Sequence, residues 1–186
     1  VVGNYLAPHV ERLLSLRPTH VLAMVGKEGP DARLVEWAAR GQFELLLYPT
    51  PHSVREILDM LAGVDAGRPN LGRALRAQDR ARELSRLITY RLSAISQAVE
   101  DAAAIPPRVL LVFNPNPLWA SGPGSVEDDL LCNYLHASNA AGDLGGVAVV
   151  LDRERLLELR PDVVLFMLPG APPIDDFAQD PRPSLF

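Results

Sequence analysis

Two stretches of this chain are copies of one another. Residues 10–24 read VERLLSLRPTHVLAM and residues 153–167 read RERLLELRPDVVLFM. Without a gap they are identical at ten of fifteen positions, among them Leu13/Leu156, Leu16/Leu159, Arg17/Arg160, Pro18/Pro161 and Val21/Val164. A repeat constrains the whole fold. Two distant copies do not make a solenoid, which needs adjacent units; they suggest two related halves. Each copy reads as helix, turn and strand. Its leucines give a short helix an apolar stripe. Its arginine sits in the last turn, opposing the negative end of the helix dipole. Its proline ends the helix, and the apolar run that follows suits a strand buried in a parallel sheet.

The segments between the copies continue the alternation. Helix is predicted over 6–16, 30–40, 54–62, 126–136 and 152–159, and strand over 20–24, 43–48, 108–113 and 162–167. Pro30 suits a helix start, Gly41 and Gly63 suit helix ends, and Ser53 and Ser125 suit N-caps. This βα rhythm predicts an α/β protein with parallel sheets. Residues 64–72, 114–124 and 137–151 read as loops, the last ending in a short extended run. From Arg73 to Ala104 there is neither Gly nor Pro, and Leu84, Leu87, Ile88, Leu92, Ile95, Ala98, Val99 and Ala102 recur at steps of three and four. One helix of that length would run roughly 45 Å, more than a small lobe needs and suited to a connection between two; a break near Ser93 into two helices is the alternative. The expected organisation is two partial Rossmann-like lobes, 1–72 and 106–186, joined by a backbone helix over 73–105.

Composition narrows the function. The chain of 186 residues is 48% hydrophobic and 22% charged, with net charge −5, which is globular and lacks the basic excess of a nucleic-acid binder. No apolar run is long enough to span a membrane. The single cysteine, Cys132, excludes an internal disulfide and is expected to be buried. His9, His20, His52 and His136 show no metal-ligand spacing, and His20 reads as a core residue of its strand. The turn after Met24, Val-Gly-Lys-Glu-Gly-Pro, lacks a dinucleotide fingerprint, and Gly122-Pro-Gly-Ser125 lacks the Lys-Ser/Thr of a P-loop; the latter reads as a tight turn with an N-cap. Ser121, His136 and Asp128 lack a nucleophile elbow, so no enzyme is expected. The first residue is Val1 with no signal segment, and the last residues are proline-rich; both ends read as cut.

GNYLAPHVERLLSLRPTHVLA, WASGPGSVEDDLLCNYLHASNAAGD and VVLDRERLLELRPDVVLF resemble the periplasmic binding proteins of ABC importers for iron chelates, haem and cobalamin. The resemblance covers Val1 to about Met167, and its most specific part is the middle segment. It implies two α/β lobes on one long helix, with ligand captured between them and delivered to a membrane permease at the extracytoplasmic face. Ligands of such sheets bind beyond the carboxyl ends of strands. By resemblance to cobalamin-binding members, Tyr5, Met24 and Tyr48 line the first lobe, and Trp119 in the second-lobe loop faces them. Such surfaces suit a bulky chelate. His52, Asn116 and Ser121 would supply polar contacts. Glu11 and Glu127 are candidate permease-docking acids by location. The expected partners are a chelate (cobalamin ahead of ferric siderophore and haem) and the permease subunits, with no nucleic acid, no resident cofactor or metal, and a monomeric chain. A doubly wound nucleotide-using enzyme domain and a ligand-free interaction module are the alternatives.

Overall fold

The computed structural model describes residues 9–25, 29–63, 70–102 and 105–167. The chain divides into two compact units, Val1–Pro51 with Arg55–Leu87 and His52–Val54 with Ile88–Phe186.

In the first unit, helix α1 (Val10–Ser15) precedes strand β1 (His20–Val25), helix α2 (Ala32–Ala39) precedes strand β2 (Glu44–Pro49), and helix α3 (Val54–Ala62) follows. β1 and β2 are parallel, with Met24 opposite Tyr48, as the βαβ rhythm requires. Asp31, not Pro30, caps α2: its carboxylate accepts the Arg33 N–H at 2.8 Å. The Arg33 guanidinium hydrogen-bonds the same carboxylate and holds its pKa below the ordinary range. The core is Val10, Leu13, Val21, Leu34 and Phe43, with Trp37 and Leu45 packed on it. His20 is half-buried, with Nδ1 3.0 Å from the Thr19 hydroxyl and Nε2 3.4 Å from Glu44, so it is polar in its contacts although its strand is apolar.

The helix predicted over 73–104 is shorter. Helix α4 (Leu71–Ala74), capped by Asn70, is separate. A turn with Arg76 at φ 54 follows, and helix α5 (Gln78–Asp101) then runs unbroken through Ser93 for 24 residues. Residues without Gly or Pro can all be helical, but Asn70 offers a cap and Gly72 lets α4 approach Ala81 closely; a Cβ there would meet that side chain. The start of α5 belongs to the first unit and the remainder to the second.

In the second unit, strand β3 (Arg108–Pro115) is central. It pairs in parallel with β5 (Ser138–Asn139) and β7 (Val163–Phe166), and antiparallel with β4 (Leu118–Ser121). β5 and β7 both pair with Val109, and β4 and β7 both pair with Val112, so β7 holds one edge of β3 while β5 and β4 divide the other. β6 (Ala148–Leu151) extends the sheet antiparallel to β4. Two helices complete the unit, α6 (Val126–Asn133) and α7 (Arg153–Leu159). The sheet is therefore mixed. The stretch 114–124, expected as loop, contains a strand, because Pro115 and Pro117 mask the alternation on either side of the Asn116 turn. Leu110, Val112, Ala120, Ala140, Leu151, Leu156 and Leu159 form the main core; Val109 and Leu111 pack with Leu131 on the other face.

The two repeats fold alike. α1–β1 and α7–β7 match at the same offset, with His20 and Val163 each opening a strand. Leu13 and Leu156 are both buried. The shared arginine is not in the last helical turn: Arg17 and Arg160 both adopt the left-handed conformation, φ 48 and 44.

Candidate functional site

The ends of the strands determine what each unit can present. In the first, Met24 and Tyr48 are neighbours across the β1–β2 ladder. Met24 is 49% exposed and Tyr48 only 4%. Burial pushes the Tyr48 phenol upward in pKa, and its hydroxyl has no hydrogen-bond partner among the described residues. A buried, unpaired hydroxyl is costly, so Tyr48 is a strained position at the carboxyl end of the sheet, and Met24 offers the accessible apolar surface beside it. Tyr5 and Gly26–Glu28, and with them most of the turn after β1, lie outside the described residues.

In the second unit, Trp119 lies on β4 rather than in a loop. It pairs with Asn114 on one side and Val150 on the other, and its half-buried ring meets Phe113 at 6.2 Å in a tilted arrangement. Asn116 is exposed at the hairpin turn, where its N–H donates to the Asn114 side chain at 3.1 Å. Ser121 is 1% exposed. The structure thus groups Asn116 and Trp119 on one hairpin and sets Ser121 beneath the surface at its end.

The turn after Ser121 is held by a polar network. Gly122 is needed there because a Cβ would run into the backbone carbonyl of Gly146. Gly124 has φ 75, and Ser125 caps α6 by accepting the Asp128 N–H at 3.0 Å, as the turn-plus-cap reading expects. Asp128 accepts the Gly124 N–H and the Asn139 amide, each at 2.9 Å. Asn139 also donates to the Ser121 carbonyl at 3.2 Å and accepts the Ala141 N–H at 2.9 Å. All partners of the buried Asn139 are therefore matched in sign. Within this unit His52 Nδ1 lies 2.9 Å from the Gly124 carbonyl, and Asp129 accepts the Val54 N–H at 2.8 Å. A carbonyl oxygen can only accept, so this contact makes Nδ1 the protonated nitrogen of His52.

These positioning residues were missed by sequence reasoning. The segment WASGPGSVEDDLLCNYLHASNAAGD stood out only by resemblance, and no local pattern marks Asn139 as the partner of Asp128. Cys132 departs from expectation: it is exposed, because α6 turns Leu131 inward and the next residue falls about 100° round the helix. Partial burial raises its thiol pKa, and Asp128 and Asp129 add to the rise. Glu11 is exposed in the first turn of α1, and Glu127 is half-buried in the first turn of α6. Among the described residues no three His, Cys, Asp or Glu side chains converge as a metal site.

No protein-family model matches the chain, and no curated protein does. Solved structures do. The periplasmic haem-binding protein BhuT, in complex with two haems, is 28% identical over 89% of this chain and 59% of its own, with a TM-score of 0.64. A periplasmic haem-binding protein from Pseudomonas aeruginosa is 19% identical over 95% and 61%, at 0.68. The periplasmic vitamin B12-binding protein BtuF of Vibrio cholerae is 17% identical over 96% and 62%, at 0.61. The chain thus spans about three fifths of the length of these proteins. It has the fold of periplasmic solute-binding proteins, as the repeat, the long helix and the Ser-Gly-Pro-Gly-Ser segment lead one to expect.

Proposed function

We propose that this chain is the substrate-binding component of an ABC importer, acting at the extracytoplasmic face of the membrane. It captures a metal chelate, of the class comprising haem, corrinoids and ferric siderophores, and passes it to permease subunits without chemical change. The observation that carries this reading is the 28% identity to a haem-binding protein across 89% of the chain. Physical support comes from the strand ends. Met24, beside the buried Tyr48 in one unit, and Trp119 on its hairpin in the other offer apolar and aromatic surface with few polar groups, which suits a large, largely apolar chelate. Asn116 and His52, both exposed, supply the polar complement, the buried Ser121 supports the turn that follows it, and Tyr5 is assigned to the first lobe. Glu11 and Glu127 are proposed to face the permease. The likeness extends to haem- and B12-binding proteins alike, so the ligand is assigned as a class, with lobes 1–72 and 106–186 taken as the two binding halves.

The purified protein titrated with haemin, cyanocobalamin and a ferric siderophore should show quenching of Trp119 and Trp37 fluorescence by one of them at micromolar concentration or below. Absence of quenching by all three, with no change in the chelates' own absorbance, sinks the assignment. Where binding is seen, Met24→Ala and Trp119→Ala should each weaken it by about ten-fold, the scale set by losing one large apolar or aromatic contact of about 1–2 kcal/mol. Unchanged affinity in both variants would place the ligand elsewhere.

A further inference from the structure

Between β2 and α3 the chain belongs briefly to the other unit. Val1–Pro51 and Arg55–Leu87 form part of the first, whereas His52–Val54 belong to the second. Two contacts hold this short segment. His52 Nδ1 donates to the Gly124 carbonyl at 2.9 Å, and the Val54 N–H donates to Asp129 Oδ2 at 2.8 Å. Val54 is buried and opens α3. The first N–H groups of a helix have no partner inside it; here a carboxylate 75 residues along the chain accepts one of them. The bond is charge-assisted, and the carboxylate suits the positive end of the α3 dipole.

Both anchors of this clasp are themselves tied. Asn133, one turn on in α6, donates to Asp129 Oδ1 at 2.7 Å, so each oxygen of Asp129 has a donor. Asp128 accepts the Gly124 N–H, and Asn139 donates to Asp128, so Gly124 is fixed where it receives His52. The acidic run Glu127, Asp128 and Asp129 in the first turn of α6 thus has a use beyond the dipole of its own helix. Asp128 holds the turn that precedes α6, and Asp129 holds the segment that precedes α3.

We propose that Asp129 is a positioning residue for chelate capture and acts through His52. This rests on the function proposed above, in which the exposed His52 touches the ligand. A side chain ordered before binding loses less freedom when the ligand arrives, and a contact group is held accurately only when its own support is hydrogen-bonded or packed. Asp129 supplies that support to the backbone two residues beyond His52, while the Gly124 carbonyl orients the ring.

Two readouts on the full chain separate the clasp from its effect. Amide exchange followed by NMR should find Val54 protected in the parent and about ten-fold faster in Asp129→Ala, with slow exchange at residues 109–112 showing that each variant is folded. Affinity for whichever of haemin, cyanocobalamin and a ferric siderophore binds should fall about ten-fold in Asp129→Ala, the scale of ordering one side chain on binding. Asp129→Asn keeps a carbonyl oxygen for the Val54 N–H and should restore both readouts. The double variant His52→Ala with Asp129→Ala should bind no more weakly than His52→Ala alone, because one residue acts through the other. Unchanged affinity in an Asp129→Ala protein whose Val54 amide is released overturns the proposal. So does an unprotected Val54 in the parent, and so do losses that multiply in the double variant. A parent that binds none of the three chelates removes the ligand role of His52; a Val54 amide protected there and released in Asp129→Ala then shows that the chelate reading, and not the clasp, has failed.

Discussion

Arg17 and Arg160 show how one residue can be read correctly in kind and wrongly in conformation. The sequence placed each before a proline at the end of a helix, and that is where each lies. Proline disfavours the right-handed helical region for the residue before it, and both copies of the repeat leave the helix through a left-handed arginine instead. Only glycine adopts that conformation without strain. Arg17→Gly and Arg160→Gly should therefore each stabilise the protein by about 0.5–1 kcal/mol, seen as a higher urea midpoint; a lower midpoint in both would mean that the arginine side chains contribute more than the strain costs. Tyr48 supports a second expectation at this scale. Its hydroxyl is buried without a partner among the described residues, so Tyr48→Phe should leave stability unchanged or raise it, whereas Tyr48→Ala should lower it by about 3–5 kcal/mol through the cavity left. A clear loss in Tyr48→Phe by thermal melting would show that the hydroxyl is paired.

At the scale of elements, caps and polar networks decide where segments begin and what holds them. Asp31 starts α2 and binds Arg33. Its pKa is lower in the folded chain than in the unfolded one, chiefly through the Arg33 side-chain hydrogen bond. Its contribution is therefore fully present above the ordinary carboxylate range and is lost as pH falls through the lowered pKa. Asp31→Ala should cost about 1 kcal/mol at neutral pH. Asp31→Asn keeps the cap, so it should lose only the few tenths that an exposed pair supplies. The gap between Asp31→Asn and the parent should close in acid; a gap that persists at the acid end of a denaturation series contradicts the assignment. Asn139 carries the stronger claim. Asn139→Ala leaves the Ser121 carbonyl and the Ala141 N–H without their partner and Asp128 with one donor fewer, which should cost about 2–4 kcal/mol. Asn139→Asp should be no better, since its carboxylate faces that of Asp128. Chemical denaturation measures both.

For the whole molecule, the two units differ in how well each sheet is supported. Among the described residues the first has a sheet of two strands and the second a sheet of five, with a central β3 whose Leu110 and Val112 are fully buried. Two-stranded sheets rely on their helices for stability. Amide hydrogen exchange should accordingly be slowest at residues 109–112 and faster throughout β1 and β2; equal protection in both would contradict this ordering. Leu110→Ala should cost about 3–5 kcal/mol, the range for a leucine removed from a packed core.

The sequence by itself determined the alternation of helix and strand, the related helix–turn–strand units at either side of a long helix, and the turn-plus-cap at Gly122–Ser125. Each of these is written in local signals: the period of apolar residues, proline and glycine at element ends, and a hydroxyl one residue before a helix. The strand β4 was hidden because prolines interrupt its approach, and the start of the long helix was misplaced because helical compatibility does not say where a turn will intervene. The tertiary structure alone decided which residues meet across long stretches of chain. It put Met24 beside Tyr48, buried Ser121, exposed Cys132, and joined Asp128 to Asn139 and His52 to Gly124. Those contacts depend on strand register and on packing between segments up to 75 residues apart, and no local propensity encodes such a pairing.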